Sequence, residues 1–403
     1  MRNPNTVAIE DILVVQDVAI VVLVALAMAI LFRWIRQPLL IGYIVAGMVI
    51  GPYVPPFSLI HYPDVLNALA EMGIVFLLFA VGLEYPLSRL RAVGRKSLVI
   101  ALSESLATFV AGFLVGLALG FPFWDCLFIG LAISVTSTVI VSSVLEEIGV
   151  IRGPDTSLVL GITVVEDIIV VSMLGILQST AQNGHLAIGS VVFSIGLVAL
   201  FIVGVLLIGP RTLSPLIDRI HRSGINQVLL LALLGLAFGL ALISSLVGIS
   251  VATGAFLAGV LVAESKTQAT AHELMAPLKD VFGAIFFVSM GALMDIGLLP
   301  QYILPIAAFL ATAFGVKLAS TYLATRQQGF ADPEARRAAL TLSASGGELS
   351  IVVAKGGADI DATSPFVLPF VGALTVVTSV IAPFLIRYAW RRPAGVDPTS
   401  PPR

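Results

Sequence analysis

Charged side chains are what this 403-residue sequence has least of: Asp, Glu, Lys and Arg together make up 11% of it. Soluble domains carry about 25%, so this chain has too little charge to clothe a water-facing surface. Cysteine is nearly missing. Cys126 alone excludes an intramolecular disulfide framework and any Cys-rich metal site. Of the four histidines, His61 and His272 fall between apolar runs and no metal-ligand cluster is visible, so no cofactor and no resident metal are expected. Positive charge is not in excess either, with 22 Lys and Arg against 24 Asp and Glu, and nucleic acid is not an expected partner. What is abundant is apolar: 58% hydrophobic residues and a mean hydropathy of +1.05. The chain reads as a polytopic membrane protein, helical because its apolar runs are far longer than barrel strands.

A helix crossing the hydrocarbon core needs about 20 mostly apolar residues. That window finds thirteen segments, at 12–32, 38–52, 64–84, 97–119, 125–145, 157–179, 187–208, 226–245, 247–264, 281–297, 300–324, 335–357 and 365–389. Turn chemistry separates them at Gly51-Pro52, Phe121-Pro122, Gly153-Pro154, Gly209-Pro210 and Asp332-Pro333. Basic residues, which accumulate in cytoplasmic loops, support the count. All of the 22 Lys and Arg except Arg2, Lys317 and Lys355 lie at or beyond the end of an odd-numbered span, and one miscounted span would break that alternation. The expectation is an N-terminus outside and a C-terminus in the cytoplasm, in a cell membrane. Span 1 has no basic n-region with a small-residue cleavage site, so it is expected to be retained. The Pro-rich stretch 393–403 is expected to be a short disordered cytoplasmic tail.

Ionisable groups at mid-membrane are costly and mark pathways or relays. The deep ones are Glu71, Glu104, Glu166, Asp167, Lys317 and Glu348. Span 6 carries Glu166 and Asp167 side by side near its centre between β-branched aliphatics, with Thr163 a turn before. Neighbours on a helix point about 100° apart, so one carboxylate can face a wet cation pocket while the other meets a partner behind it. Span 5 holds Ser134, Thr136, Ser137 and Thr138, four hydroxyls that compete with the helix for backbone hydrogen bonds. Span 12 holds Ser343, Ser345, Gly346 and Gly347 just before Glu348, and there too the helix is expected to break. Broken helices at that depth are tolerated where they line protein or a cavity, and their ends offer carbonyls to cations. Lys317 wants a carboxylate, either Glu166 or Asp167, while Glu348 is placed to offset the positive ends of two half-helices. Glu71 lines an outer vestibule or pairs locally. Glu104, about a turn and a half from the cytoplasmic end of span 4, reads equally as a structural hydrogen-bonding group. Spans 4–6 and 11–13 carry these features seven spans apart and so cross the membrane in opposite senses, as inverted repeats do.

Several stretches resemble the monovalent cation:proton antiporters, in particular the branch holding sodium/proton antiporters and glutathione-gated potassium efflux systems. They are Gln37 to Pro52, Gly73 to Glu84, Gly254-Ala-Phe-Leu-Ala-Gly with Glu264-Ser, Phe286-Phe-Val-Ser-Met-Gly-Ala and Gly346-Gly-Glu348, in that order. The resemblance implies a transmembrane antiporter domain over 1–392, an all-α inverted-repeat fold with two broken helices crossing at mid-membrane. It implies a scaffold and dimerisation bundle (12–84 and 226–297), a linker helix (187–208) and a mobile core (97–179 and 300–389). It implies a homodimer in the bilayer of a prokaryote. Asp167 matches the family's cation- and proton-binding carboxylate, and Lys317 matches a lysine that pairs with the residue at Glu166. That position is Asp, Asn or Gln in the family, so Glu166 is a departure.

The expected activity is therefore exchange of Na⁺ or K⁺ for H⁺, the two occupying Asp167 in turn. Thr136, Ser137 and Thr138 are available to complete the oxygen shell. Whether exchange moves net charge turns on whether Lys317 releases its proton when cation binds. A gated cation channel and a sodium-coupled organic anion symporter are the alternatives. A channel lacks a carbonyl filter motif here, and an anion carrier finds one cationic residue at depth. Enzyme chemistry is not expected, because no Gly-x-Gly-Asp pair and no His-Glu-x-x-His occurs.

Overall fold

The computed structural model describes residues 4–390 apart from 36, 52, 54–58, 61, 85–86, 151–153, 183–187, 248–250, 295 and 344–345. The tail at 393–403 and Ser345 thus lie outside the described residues. The described chain is all helix: α1 Pro4–Trp34, α2 Leu39–Ile50, α3 Pro63–Leu83, α4 Leu87–Ala118, α5 Phe123–Ile133, α6 Thr138–Glu147, α7 Pro154–Gln182 and α8 Ile188–His221. Then come α9 Asn226–Leu246, α10 Val251–Ala263, α11 Gln268–Ala292, a 3₁₀ turn Ile296–Tyr302, α12 Ile303–Gln327, α13 Asp332–Leu342, α14 Glu348–Ala358 and α15 Val367–Ala389. Hydrocarbon offers backbone groups no partners, so each apolar run satisfies its own as a helix. Among the described residues eight helices are long and apolar enough to cross a membrane, and shorter apolar helices fill in between them. Counting α5 with α6 and α13 with α14 as single broken passes, each of the thirteen expected segments finds its helix. Large side chains such as Leu23, Leu106, Leu231 and Leu304 are exposed around the outside, as a surface facing lipid requires.

Two expected boundaries are corrected. Gly209-Pro210 is not a turn: α8 runs on through Pro210 and Pro215 to His221. The extension is held by tertiary contacts, the Ser214 hydroxyl donating to Leu261 O at 2.8 Å and Thr267 Oγ1 donating to Asp218 Oδ1 at 2.7 Å. In the same way α11 begins at Gln268 and continues through Pro277, so Lys279 lies in a helix rather than in a loop. Proline's missing N–H forbids neither, because neighbouring packing outweighs one lost helical hydrogen bond. At Phe121-Pro122 and Asp332-Pro333 the prolines do start α5 and α13.

Two packing groups result. In one, α3 lies against α10 and α11, and α2 lies against α11 and α1. Here small residues bring backbones together: a Cβ on Gly82 would meet Phe256 O at 2.2 Å, and one on Gly291 would meet Ile44 O at 2.1 Å. In the other, α4 packs on α5, α7 and α12, while α15 packs on α6, α13 and α14. Ion pairs Arg337–Asp155 and Arg387–Glu147 tie one end of this second group. An aromatic cluster of Phe121, Tyr302, Phe309, Phe366 and Phe370 closes the other.

Candidate functional site

The two helix breaks meet at the centre of the second group. α5 stops at Ile133 and α6 starts at Thr138, while α13 stops at Leu342 and α14 starts at Glu348. Between them Gly346 N–H donates to Val135 O at 3.0 Å, and Thr136 and Gly346 form an isolated parallel bridge. Each break also serves the carbonyls left over at the other's half-helix. Thr136 Oγ1 donates to Leu342 O at 3.2 Å and Ser350 Oγ donates to Ala132 O at 2.7 Å. The remaining hydroxyls mostly look inward. Ser134 donates to Leu131 O, Ser343 to Leu340 O and Thr163 to Leu160 O, while Ser137 Oγ accepts from Ile140 N at 3.3 Å. Ser343 and Thr163 are thus engaged with their own helices.

Gly346 is required by shape. Its φ is +101°, the left-handed region that disfavours a side chain, and a Cβ there would stand 2.4 Å from Thr378 Oγ1. Gly347, extended at φ −173°, would push a Cβ to 2.5 Å from that of Ser137. Gly346→Ala is therefore expected to lower stability by about 1–3 kcal/mol, read as an earlier melting transition of the purified protein. Ala at Gly283, where a Cβ meets open space, is the matched control and should melt with the wild type.

α7 brings the paired carboxylates against this crossing, and their adjacent positions send them to different partners. Glu166 is fully buried. Its Oε2 accepts from Thr136 N–H at 2.7 Å and from Lys317 Nζ at 3.2 Å. Asp167, 3% exposed, accepts the Thr138 hydroxyl on Oδ2 at 3.0 Å. Thr138 itself is half-buried. Of the two partners open to Lys317, the structure selects Glu166. The ammonium also donates to Ser134 O at 2.7 Å and stands 3.5 Å from Glu104 Oε2. The electrostatics agree with the helix ends: the cation caps the negative C-terminus of α5, and the carboxylates collect at the positive N-terminus of α6.

The other expected site residues divide. Glu104 belongs to the site rather than to a helix end, because it faces Lys317 from the middle of α4; sequence depth alone underweighted it. Glu348 is the first residue of α14, but its side chain lies outside the described residues. Glu71 is not at the crossing. It is exposed on α3 and lines a cavity of about 290 Å³ with Leu174, Gln178, Gln182 and Asp359. Gln178 was not anticipated. It sits three turns beyond Asp167 along α7, and its Nε2 donates to Gly356 O at 2.7 Å. A polar residue eleven positions after an intramembrane carboxylate returns to the same helix face, which is the signal that was available.

A polytopic helical protein in which two inverted repeats cross broken helices beside buried carboxylates has the architecture of a transporter. The model for the transmembrane sodium/hydrogen exchanger family matches residues 18–392, and the chain belongs to that family. It is 29% identical over 387 residues to the K(+)/H(+) antiporter subunit KhtU of Bacillus subtilis, covering 94% of each chain. It is 30% identical over 334 residues to the high-affinity Na(+)/H(+) antiporter NhaS3 of Synechocystis, covering 80% of this chain and 71% of that one. Its fold matches the sodium proton antiporter MjNhaP1 of Methanocaldococcus jannaschii with a TM-score of 0.68 at 14% identity, over 94% of this chain and 97% of the other.

Proposed function

We propose that this protein is a secondary active antiporter that exchanges Na⁺ or K⁺ for protons by alternating access. Asp167 is the carboxylate that holds the cation and the proton in turn. The observation that carries this reading is the division of labour on α7: Glu166 is engaged by Lys317 and Thr136 N–H, whereas Asp167 turns to the half-buried hydroxyl of Thr138. Either guest neutralises the same carboxylate, and a neutral site crosses a dry barrier at lower cost. Hard oxygen ligands for the cation are at hand in Asp167, Glu166 and Thr138. The half-helices of the crossing supply fixed dipoles without exposing backbone to lipid.

In this reading the group around α4–α7 and α12–α15 is the moving core. The group around α1–α3 and α9–α11 is the scaffold, α8 links them, and the scaffold joins two copies into a dimer. The alternation of basic residues supports a C-terminus in the cytoplasm; with that orientation the cavity lined by Glu71 and Gln178 opens outward, at the interface between the two groups.

Proton flux in proteoliposomes against Li⁺, Na⁺, K⁺ and Rb⁺ at several pH values tests the proposal. Saturable, pH-gradient-coupled exchange supports it. Unsaturable conduction would mean a channel instead, and flux requiring an organic anion would mean a symporter. The vestibule adds a smaller expectation. Glu71→Gln removes a carboxylate from the outer approach and should raise the cation KM about 2–5-fold from the outside at low salt, where unscreened charge concentrates counter-ions. The KM from the inside should not move, and vesicles of defined orientation separate the two.

A further inference from the structure

Two carboxylates share one ammonium at the centre of the bundle. Lys317 Nζ is 3.2 Å from Glu166 Oε2 and 3.5 Å from Glu104 Oε2, with all three side chains wholly buried. They arrive from three helices, α12, α7 and α4. Among the described residues the titratable groups that meet here are Glu104, Glu166, Asp167 and Lys317; the break between α5 and α6 contributes hydroxyls and backbone. The Glu104 carboxylate receives Ser105 Oγ at 3.0 Å on Oε1, while Oε2, the oxygen toward Lys317, has no hydrogen-bond donor. Thr108, a turn away, spends its hydroxyl on Glu104's own backbone carbonyl. A charged carboxylate removed from water needs an opposite charge beside it, and Lys317 is the charge at hand. The Ser134 carbonyl, 2.7 Å from Nζ, holds the ammonium in place whichever carboxylate it leans toward.

We propose that Lys317 has two seats, and that Glu104 is the one it keeps when Glu166 turns to a transported cation. This rests on the antiport reading above and makes Glu104 a positioning residue of that site. The charge balance follows. In the proton-loaded core Asp167 carries one proton and Lys317 balances Glu166, with Glu104 ionised beside it as it is in the cation-loaded core. In the cation-loaded core that proton has left, one cation lies between Asp167 and Glu166, and Lys317 remains charged against Glu104. One positive charge has replaced another, so exchange runs at one proton per cation and moves no net charge. With Glu104 removed, a cation on Glu166 strands the ammonium in a dry interior. Lys317 then gives up its proton as well, two protons leave per cation, and each cycle moves one charge.

The decisive measurement is exchange in proteoliposomes under an imposed membrane potential, for wild type, Glu104→Gln and Glu104→Asp. The wild-type rate is expected to stay the same between 0 and about 100 mV, a step large against thermal energy for one charge. Glu104→Gln should change several-fold over that step, and Glu104→Asp, which keeps a second seat, should behave as wild type. Voltage-sensitive wild-type exchange, or Glu104→Gln exchange indifferent to voltage, overturns the proposal. A second readout needs no transport: the melting of Glu104→Gln, Glu166→Gln and the double variant in detergent. Each single variant leaves the ammonium one carboxylate, so the double should lose more than the sum of the two. Additive losses overturn the two seats. A wild type without cation-driven proton flux but with non-additive melting would leave the seats standing and remove the antiport reading instead.

Discussion

Asn in place of Asp167 is expected to abolish cation-dependent proton flux, down to the rate of protein-free vesicles, while the variant purifies and melts like the wild type. The substitution keeps the size of the side chain and an oxygen that accepts the Thr138 hydroxyl, now 3.0 Å away. What it removes is the negative charge, and with it, on the proposed reading, both the proton acceptor and the ionic ligand of the cation. A structural carboxylate would behave in the opposite way, with folding disturbed and flux spared. Proteoliposomes following internal pH on addition of Na⁺ or K⁺, with melting run in parallel, separate the two cases. Persisting antiport would take Asp167 out of its role.

Lys317→Leu should be the most destabilising single change in the core. The ammonium makes three contacts, with Ser134 O, Glu166 Oε2 and Glu104 Oε2, and its loss leaves two carboxylates buried without a counter-charge. Breaking a buried pair by removing one partner costs about 3–5 kcal/mol, whereas replacing the whole charged group by neutral residues is far milder. The triple variant Lys317→Leu with Glu104→Gln and Glu166→Gln should therefore recover much of the stability that the single variant loses. Thermal melting in detergent reads both. A single variant as stable as wild type would mean that the buried charges do not depend on one another.

The helices were legible in the sequence because lipid enforces a simple rule: an apolar run of sufficient length has no alternative to a helix. The breaks were legible for a related reason. Four hydroxyls from Ser134 to Thr138, and the pair Gly346-Gly347, are poor helix formers in positions where only helix or a lined cavity is allowed. Gly209-Pro210 misled because local turn chemistry competes there with contacts from Ser214 and Asp218 to α10 and its following turn, which lie far along the chain.

The chemistry of the site divides in the same way. That Glu166, Asp167 and Lys317 must find partners follows from their depth alone, since charge in hydrocarbon is tolerated only with a partner. Which carboxylate Lys317 takes, and that Glu104 stands opposite as the third member, came from the packing of α4, α7 and α12, because a helix's depth says how far in a side chain lies but not which neighbour it turns toward. Sequence thus determined the fold class, the number of crossings, the two breaks and the buried charges Glu104, Glu166, Asp167 and Lys317, each a local consequence of an apolar solvent. Tertiary structure decided the pairings among those charges, since an ion pair is set by distances of a few ångströms between helices that no one-dimensional pattern encodes.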